Sequence, residues 1–446
     1  MSQISILRFG GSEPDLPSAV HEIYREWRRG RRVLAVVSAS GCTADDLLKR
    51  AQQLGLPPQR EGLAALLTLA LDRSGIPATL LDPNQTGPIT DGDPLDLPGI
   101  QDELARAIVV VPGRSACPGR PAPPAPARPP LRVALLGCGT VGGGALARIL
   151  AQPAFFCVTG VAVRDLDRIR VPAVPRGLLT DDPAGLVEGE ADVVVELLGG
   201  REPARSLIAR ALDRGRHVVT ANKALLAEEV EALSGLAARR GVSLRFSAAV
   251  GGALPALETV RRAASSGRVR GVAGVLNGTC NFVLDRCAAG SSFPEAVALA
   301  RDAGYAEADP TLDLDGSDAA QKLALLAREA FGEAVPWESI PRRGIAGLDE
   351  SALAEAVRKG KRVRLVASCE RTEGGLRASV QPFELPPDHP FAETAGAENA
   401  LLVQLEGGDR IRIAARGAGR WPTTEAVLAD LHDLAVETAE IEEVVA

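Results

Sequence analysis

The stretch LRVALLGCGTVGGGALARIL, beginning at Leu131, runs from an apolar segment through a glycine turn into a helical pattern. That order belongs to a parallel α/β sheet and to few other architectures. Gly137, Gly139 and Gly142 stand in G-x-G-x-x-G spacing. The first permits the tight turn, the second lets backbone approach a pyrophosphate, and the third lets the helix close on the strand. Thr140 and Val141 lie where the first helical N–H groups would face the anion, so Gly137, Gly139, Thr140, Val141 and Gly142 are the expected dinucleotide contacts. Further strand and helix units over residues 158–163, 191–200 and 216–227 predict a doubly wound parallel sheet.

Strand ends in such a sheet are where ligands bind. After the strand at 158–163 the chain reads Arg164, then Asp165. Arginine suits a 2′-phosphate and an acid suits a plain ribose, so NADP is favoured and NAD stays open. Thr220 and Lys223 follow the apolar pair Val218 and Val219, which puts them in reach of cofactor or substrate.

A net charge of −7 and a pI near 5.4 exclude the basic footprint of a nucleic-acid binder. Seven cysteines without a C-x-x-C pair form neither a disulfide framework nor a zinc site, and the N-terminus lacks the apolar core of a signal peptide. A cytoplasmic protein is expected. Residues 4–9 and 32–38, with a helix between them, predict a βαβ opening. Residues 113–130 are so rich in proline that helix and central strand are excluded, which predicts a semi-rigid linker.

The second notable stretch, GYAEADPTLDLDGSDAAQK from Gly304 to Lys322, crowds Glu307, Asp309, Asp313, Asp315 and Asp318 around one lysine. Asp318 and Lys322 are four apart at the start of an apolar-periodic run, so they share a helix face, with Ser317 expected at the N-cap and Gly332 at the stop. Lysine is the rare cation here, found only at 49, 223, 322, 359 and 361. Arginine cannot release a proton near neutral pH whereas lysine can be tuned to do so, and Lys322 in this setting points to proton transfer.

Two resemblances follow from these and neighbouring motifs. ILRFGGS, VLAVVSASGCTADDLL and GIPATLLDPNQTGPITDGD resemble the first half of an aspartate kinase, of the amino-acid kinase fold. Arg8 stands where that family has a lysine, and the half that would hold ATP is absent. The resemblance therefore implies an inactive, truncated module over residues 1–112. GCGTVGGG, VVVELLGG, HVVTANKALLA, AAVGGALP, GVLNGTCNFVL, the Gly304–Lys322 stretch and GAGRWPTTEAVLADL are similar to the homoserine dehydrogenase family over about residues 131–436. Its members interconvert L-homoserine and L-aspartate 4-semialdehyde with a nicotinamide cofactor, in threonine and methionine biosynthesis.

That second resemblance implies a Rossmann doubly wound sheet over residues 131–266, completed by 414–440, and an α+β substrate and dimerisation domain over 267–413. It implies Lys322, Asp318 and Lys223 as catalytic residues. Glu307, Asp313, Tyr305, Asn277, Gly278 and Thr279 would line the homoserine pocket, with Thr220, Lys223 and Arg164 at the cofactor. Family members often bind a monovalent cation through a glutamate and carbonyls, here those of Val250, Gly252 and Leu254. Ser247 replaces the glutamate, so a weak or empty site is expected. A homodimer is implied, and a C-terminal regulatory ACT domain is not expected. Two alternatives stay open: a bifunctional kinase and dehydrogenase, which Arg8 and the missing ATP half oppose, and a front module acting as a non-catalytic interaction or regulatory piece.

Overall fold

The computed structural model describes residues 3–9, 16–37, 63–81, 103–104, 106–112, 129–170, 174–307, 309–417 and 419–445. Most of the expected linker (113–128), and much of the kinase-like motifs beyond residues 37 and 81, lie outside them. The chain divides into two compact units, residues 1–125 and 126–446.

The first unit contains β1 (Ile4–Phe9), α1 (Leu16–Arg28), β2 (Arg32–Val37), α2 (Leu63–Arg73), β3 (Ala78–Leu80) and β4 (Ile108–Pro112). Its strands form a parallel sheet in the order β1-β2-β4-β3, so the βαβ opening is present. Helix α1 buries Leu16, Ala19, Val20, Ile23 and Tyr24, the one-sided spacing of an amphipathic helix laid on a sheet.

The second unit begins with β5 (Leu131–Leu136), α3 (Thr140–Leu150), β6 (Phe156–Ala162), β7 (Leu179–Thr180), α4 (Pro183–Glu188) and β8 (Val193–Glu196). It continues with α5 (Ala204–Asp213), β9 (His217–Thr220), α6 (Lys223–Arg240) and β10 (Leu244–Arg245). These strands pair in parallel in the order β10-β9-β8-β5-β6-β7, a doubly wound α/β sheet whose order reverses between β5 and β8. A sheet covered on both faces needs strands that are apolar on both faces, and this one has them. Val133 and Leu135 pack toward α3 on one face, while Ala134 and Leu136 pack toward α5 and α6 on the other. Each fully buried Val or Leu contributes about 1.5–3 kcal/mol relative to exposure.

After α7 (Ala256–Ser266) come β11 (Val269–Val275), α8 (Gly278–Ala288), α9 (Phe293–Asp302), α10 (Thr311–Leu314), α11 (Ser317–Phe331) and α12 (Glu350–Arg358). Then follow β12 (Arg362–Thr372), β13 (Gly375–Leu385), β14 (Glu398–Leu405), β15 (Arg410–Arg416) and α13 (Arg420–Val445). The strands of this half form an antiparallel sheet, β13-β12-β11-β14-β15, against which α8 and α11 pack. Helix α13 returns to the doubly wound sheet, where Ala426, Val427, Leu428, Leu431 and Leu434 share a core with α3 and β5. Among the described residues no helix is long and apolar enough to cross a membrane.

One detail differs from expectation. Ser317 is the first residue of α11, and Gly316, at φ +87°, is the N-cap; Asp315 Oδ1 accepts the Ser317 N–H at 2.8 Å. The left-handed turn needs glycine, so the acid before it does the capping that the serine was expected to do. Gly332 ends the helix at φ +69°, as expected.

Candidate active site

The glycine turn stands at the carboxyl end of β5, next to the point where strand order reverses. Gly137 adopts φ +98°, and a β-carbon there would lie 2.7 Å from the Leu197 carbonyl oxygen. A β-carbon on Gly142 would lie 2.2 Å from the Gly137 oxygen. Gly139 differs: nothing lies within 4 Å of its missing β-carbon. It is the N-cap of α3 and offers no side chain to the helix N–H groups, so the first turn, with Thr140, Val141 and Gly142, keeps donors for an anion. Open space at Gly139 and an uncapped helix end fit a dinucleotide pyrophosphate.

Arg164 is exposed just past β6. Asp165 turns its carboxylate onto its own loop, where Oδ1 accepts from Asp167 N at 2.9 Å and Arg168 N at 3.1 Å. Thr220 ends β9 with its side chain buried. Asn222 caps α6 by accepting from Leu225 N, which makes Lys223 the first residue of that helix.

The acid cluster meets this edge from the other sheet. Asp318 and Lys322 do lie one turn apart on one face of α11, their Oδ2 and Nζ separated by 2.8 Å. Lys223 Nζ reaches the other oxygen, Asp318 Oδ1, at 2.5 Å. A single carboxylate thus joins two lysines from different elements. Lys322 is nearly enclosed and donates a second bond to the Leu276 carbonyl at 2.7 Å, whereas the Lys223 side chain is 41% exposed. Asn277 supports the acids: its amide donates to Asp313 Oδ1 at 2.7 Å and Asp318 Oδ2 at 2.8 Å, while its oxygen caps α8 through Cys280 N.

Burial opposes ionisation of Asp318, but the ammonium groups of Lys322 and Lys223 outweigh it and hold the carboxyl well below the usual carboxylate range. Asp318 in turn lifts the Lys223 amine above its ordinary value against the cost of burial. Asp313 moves the other way, raised by burial and by the nearby Asp318 charge. Burial pushes the Cys280 thiol well up, and its Sγ lies 3.1 Å from the Asp313 carbonyl, so it is no thiolate nucleophile.

Thr279 Oγ1 donates to the Tyr305 carbonyl at 2.6 Å, and the half-buried Tyr305 ring packs 5.1 Å from Phe282. Gly278 sits close under Ala397, whose carbonyl oxygen would be 2.9 Å from a β-carbon. Glu307 is exposed, and its charge contributes to the rise in the Lys223 pKa. The structure therefore brings Lys223, Asn277, Asp313, Asp318 and Lys322 into one bonded network, with Gly278, Thr279 and Tyr305 adjoining it.

The residues before α7 do not fit a cation well. The Ser247 hydroxyl lies 2.9 Å from Asp430 Oδ1 and 2.5 Å from Glu258 Oε1, and the Leu254 carbonyl already accepts from Ala256 N at 2.7 Å. No local motif marks Glu258 or Asp430 in the sequence, and the one signal for Glu196 is a lone acid ending an otherwise apolar strand.

Comparison with known proteins agrees with this architecture. Two family models match: "Homoserine dehydrogenase, NAD binding domain" over residues 137–247 and "Homoserine dehydrogenase" over residues 255–432. Homoserine dehydrogenase of Corynebacterium glutamicum is 39% identical over 316 residues, covering 67% of this chain and 70% of that protein. The Synechocystis enzyme of the same name is 37% identical, covering 68% and 72%. Among solved structures, a homoserine dehydrogenase from Thiobacillus denitrificans superposes with a TM-score of 0.65 at 38% identity, covering 70% of this chain and 74% of that one. The chain belongs to the homoserine dehydrogenase family.

Proposed function

We propose that this oxidoreductase oxidises L-homoserine, and reduces L-aspartate 4-semialdehyde, at the network around Asp318. The observation that carries the reading is that one buried carboxylate holds two lysines, Lys223 and Lys322. The Leu276 carbonyl and Asp318 Oδ2 can only accept, so they take two N–H groups of Lys322. The remaining vertex of the amine carries a hydrogen when the lysine is charged and a lone pair when it is neutral. Lys322 takes the hydroxyl proton of homoserine directly or through one water, and returns it during aldehyde reduction. Lys223, kept charged by Asp318, polarises the same oxygen. Glu307 and Asp313 hold the substrate ammonium, Gly278 and Thr279 offer donors to its carboxylate, and Tyr305 closes the pocket side. Asn277 serves the substrate through the two acids that it fixes.

A bound nicotinamide dinucleotide supplies the hydride acceptor and donor. Gly137, Gly139, Thr140, Val141 and Gly142 would hold its pyrophosphate, and Thr220 and Lys223 would flank its reactive end. NADP is favoured, because Arg164 is exposed for a 2′-phosphate and the Asp165 carboxylate is engaged by its own loop. No step passes through a monovalent cation. A cytoplasmic homodimer belongs to the same reading.

The front module reads as an inactive kinase-like remnant, supported by Arg8 in β1 in place of a lysine. Incubation with ATP and aspartate should yield no aspartyl phosphate. The function itself is tested by initial rates with homoserine and NADP or NAD side by side. Nicotinamide reduction that depends on homoserine is expected, faster with NADP; no reduction by folded protein overturns the reading.

A further inference from the structure

Glu196 ends β8, fully buried, at the point where the strand order of the nucleotide sheet reverses. A carboxylate taken out of water is costly unless its lone pairs find donors. Here Oε1 accepts from Leu198 N at 2.8 Å and Gly199 N at 3.1 Å, and Oε2 accepts from the Thr220 hydroxyl at 2.6 Å. Among the described residues no lysine, arginine or histidine pairs with it, so its partners are two backbone amides and one hydroxyl.

Those partners lead in two directions. The Leu197–Leu198 backbone is the wall against which Gly137 turns, too close for any β-carbon there. The Thr220 oxygen accepts from Asn222 N at 3.0 Å, and Asn222 donates to the Gly200 carbonyl at 2.6 Å while capping α6. Lys223 is the next residue. The bonds close a ring from Glu196 through the 198–200 turn to Asn222, Thr220 and back.

The geometry points to Glu196 as a positioning residue for the dehydrogenase reaction: it locks the wall of the glycine turn to the corner from which Lys223 departs. This rests on the role given to Lys223 above. Glutamine cannot replace the acid, because an amide offers one acceptor where two are used. With its oxygen toward Leu198 and Gly199, its NH₂ meets the Thr220 oxygen and leaves that hydroxyl hydrogen without its acceptor. Turned over, it sets NH₂ against two N–H donors.

The test is a double-mutant cycle on the full chain. Glu196→Gln should lower kcat about tenfold and raise the KM for NADP by a few fold, as expected when a reacting group is held less well. Thr220→Val should reproduce both effects, and it carries the test if Glu196→Gln does not fold. In a Lys223→Met background, itself impaired, Glu196→Gln should lower kcat no further, while the effect on KM persists; general damage to the fold would instead multiply the two losses. Unchanged kcat in both Glu196→Gln and Thr220→Val, or fully multiplied losses, overturns the proposal. Full activity of Lys223→Met overturns the role of Lys223 itself, and with it the link through that residue.

Discussion

Lys223 Nζ lies 2.5 Å from Asp318 Oδ1, so the first residue of a helix from the parallel sheet is joined to a helix that packs on the antiparallel one. Asp318 spends its other oxygen on Lys322. Removing this one carboxylate therefore disturbs two amines together. Because the folded-state pKa of Asp318 is depressed, its contribution to stability is present above the unfolded value, about 3.9, and is lost as pH falls toward the folded value. Asp318→Asn should melt at a lower temperature than wild type near neutral pH, with a gap that is constant above about pH 5 and narrows below about pH 4. Melting curves across that range check it, and a gap that widens in acid would contradict the pairing.

Two glycines of the cofactor turn should fail for different reasons. Gly142→Ala drives a β-carbon to within 2.2 Å of the Gly137 oxygen, so the turn must shift and the protein should lose stability. Gly139→Ala meets nothing within 4 Å and should melt near the wild-type temperature. Its methyl instead occupies the space left for the pyrophosphate, so the KM for the dinucleotide should rise roughly tenfold or more. Melting temperatures and nucleotide KM values for the two variants separate the effects; a stable Gly139→Ala with unchanged KM would move the pyrophosphate elsewhere.

Arg164 should act on one cofactor more than the other. Arg164→Ala is expected to lower kcat/KM with NADP about tenfold and to leave NAD within about threefold, since only the first carries a 2′-phosphate for a guanidinium to bind. Equal losses with both cofactors would place the ribose away from this strand end.

What the sequence made legible is local. The glycine turn could be read because its three residues and flanking elements lie within one contiguous stretch. Asp318 and Lys322 could be paired because a helix brings positions four apart onto one face. Periodicity could not join Lys223 to Asp318, whose contact depends on how two sheets are arranged; family resemblance named both without giving the contact. The bond between Glu196 and Thr220 was equally hidden, since adjacency of β8 and β9, and no spacing rule, brings the two residues together. At Ser317 the expected cap gave way to Gly316, because the chain enters α11 through a left-handed turn.

The exchange of a proton at Lys322 is tested most directly by Lys322→Arg, which keeps the charge near Asp318 and cannot release a proton near neutral pH. Steady-state oxidation of homoserine with NADP should fall by about 10²–10⁴ in kcat, the range expected for loss of a general acid–base, while the dissociation constant for NADP stays near the wild-type value. Turnover at the wild-type rate by a folded Lys322→Arg protein would contradict the assignment.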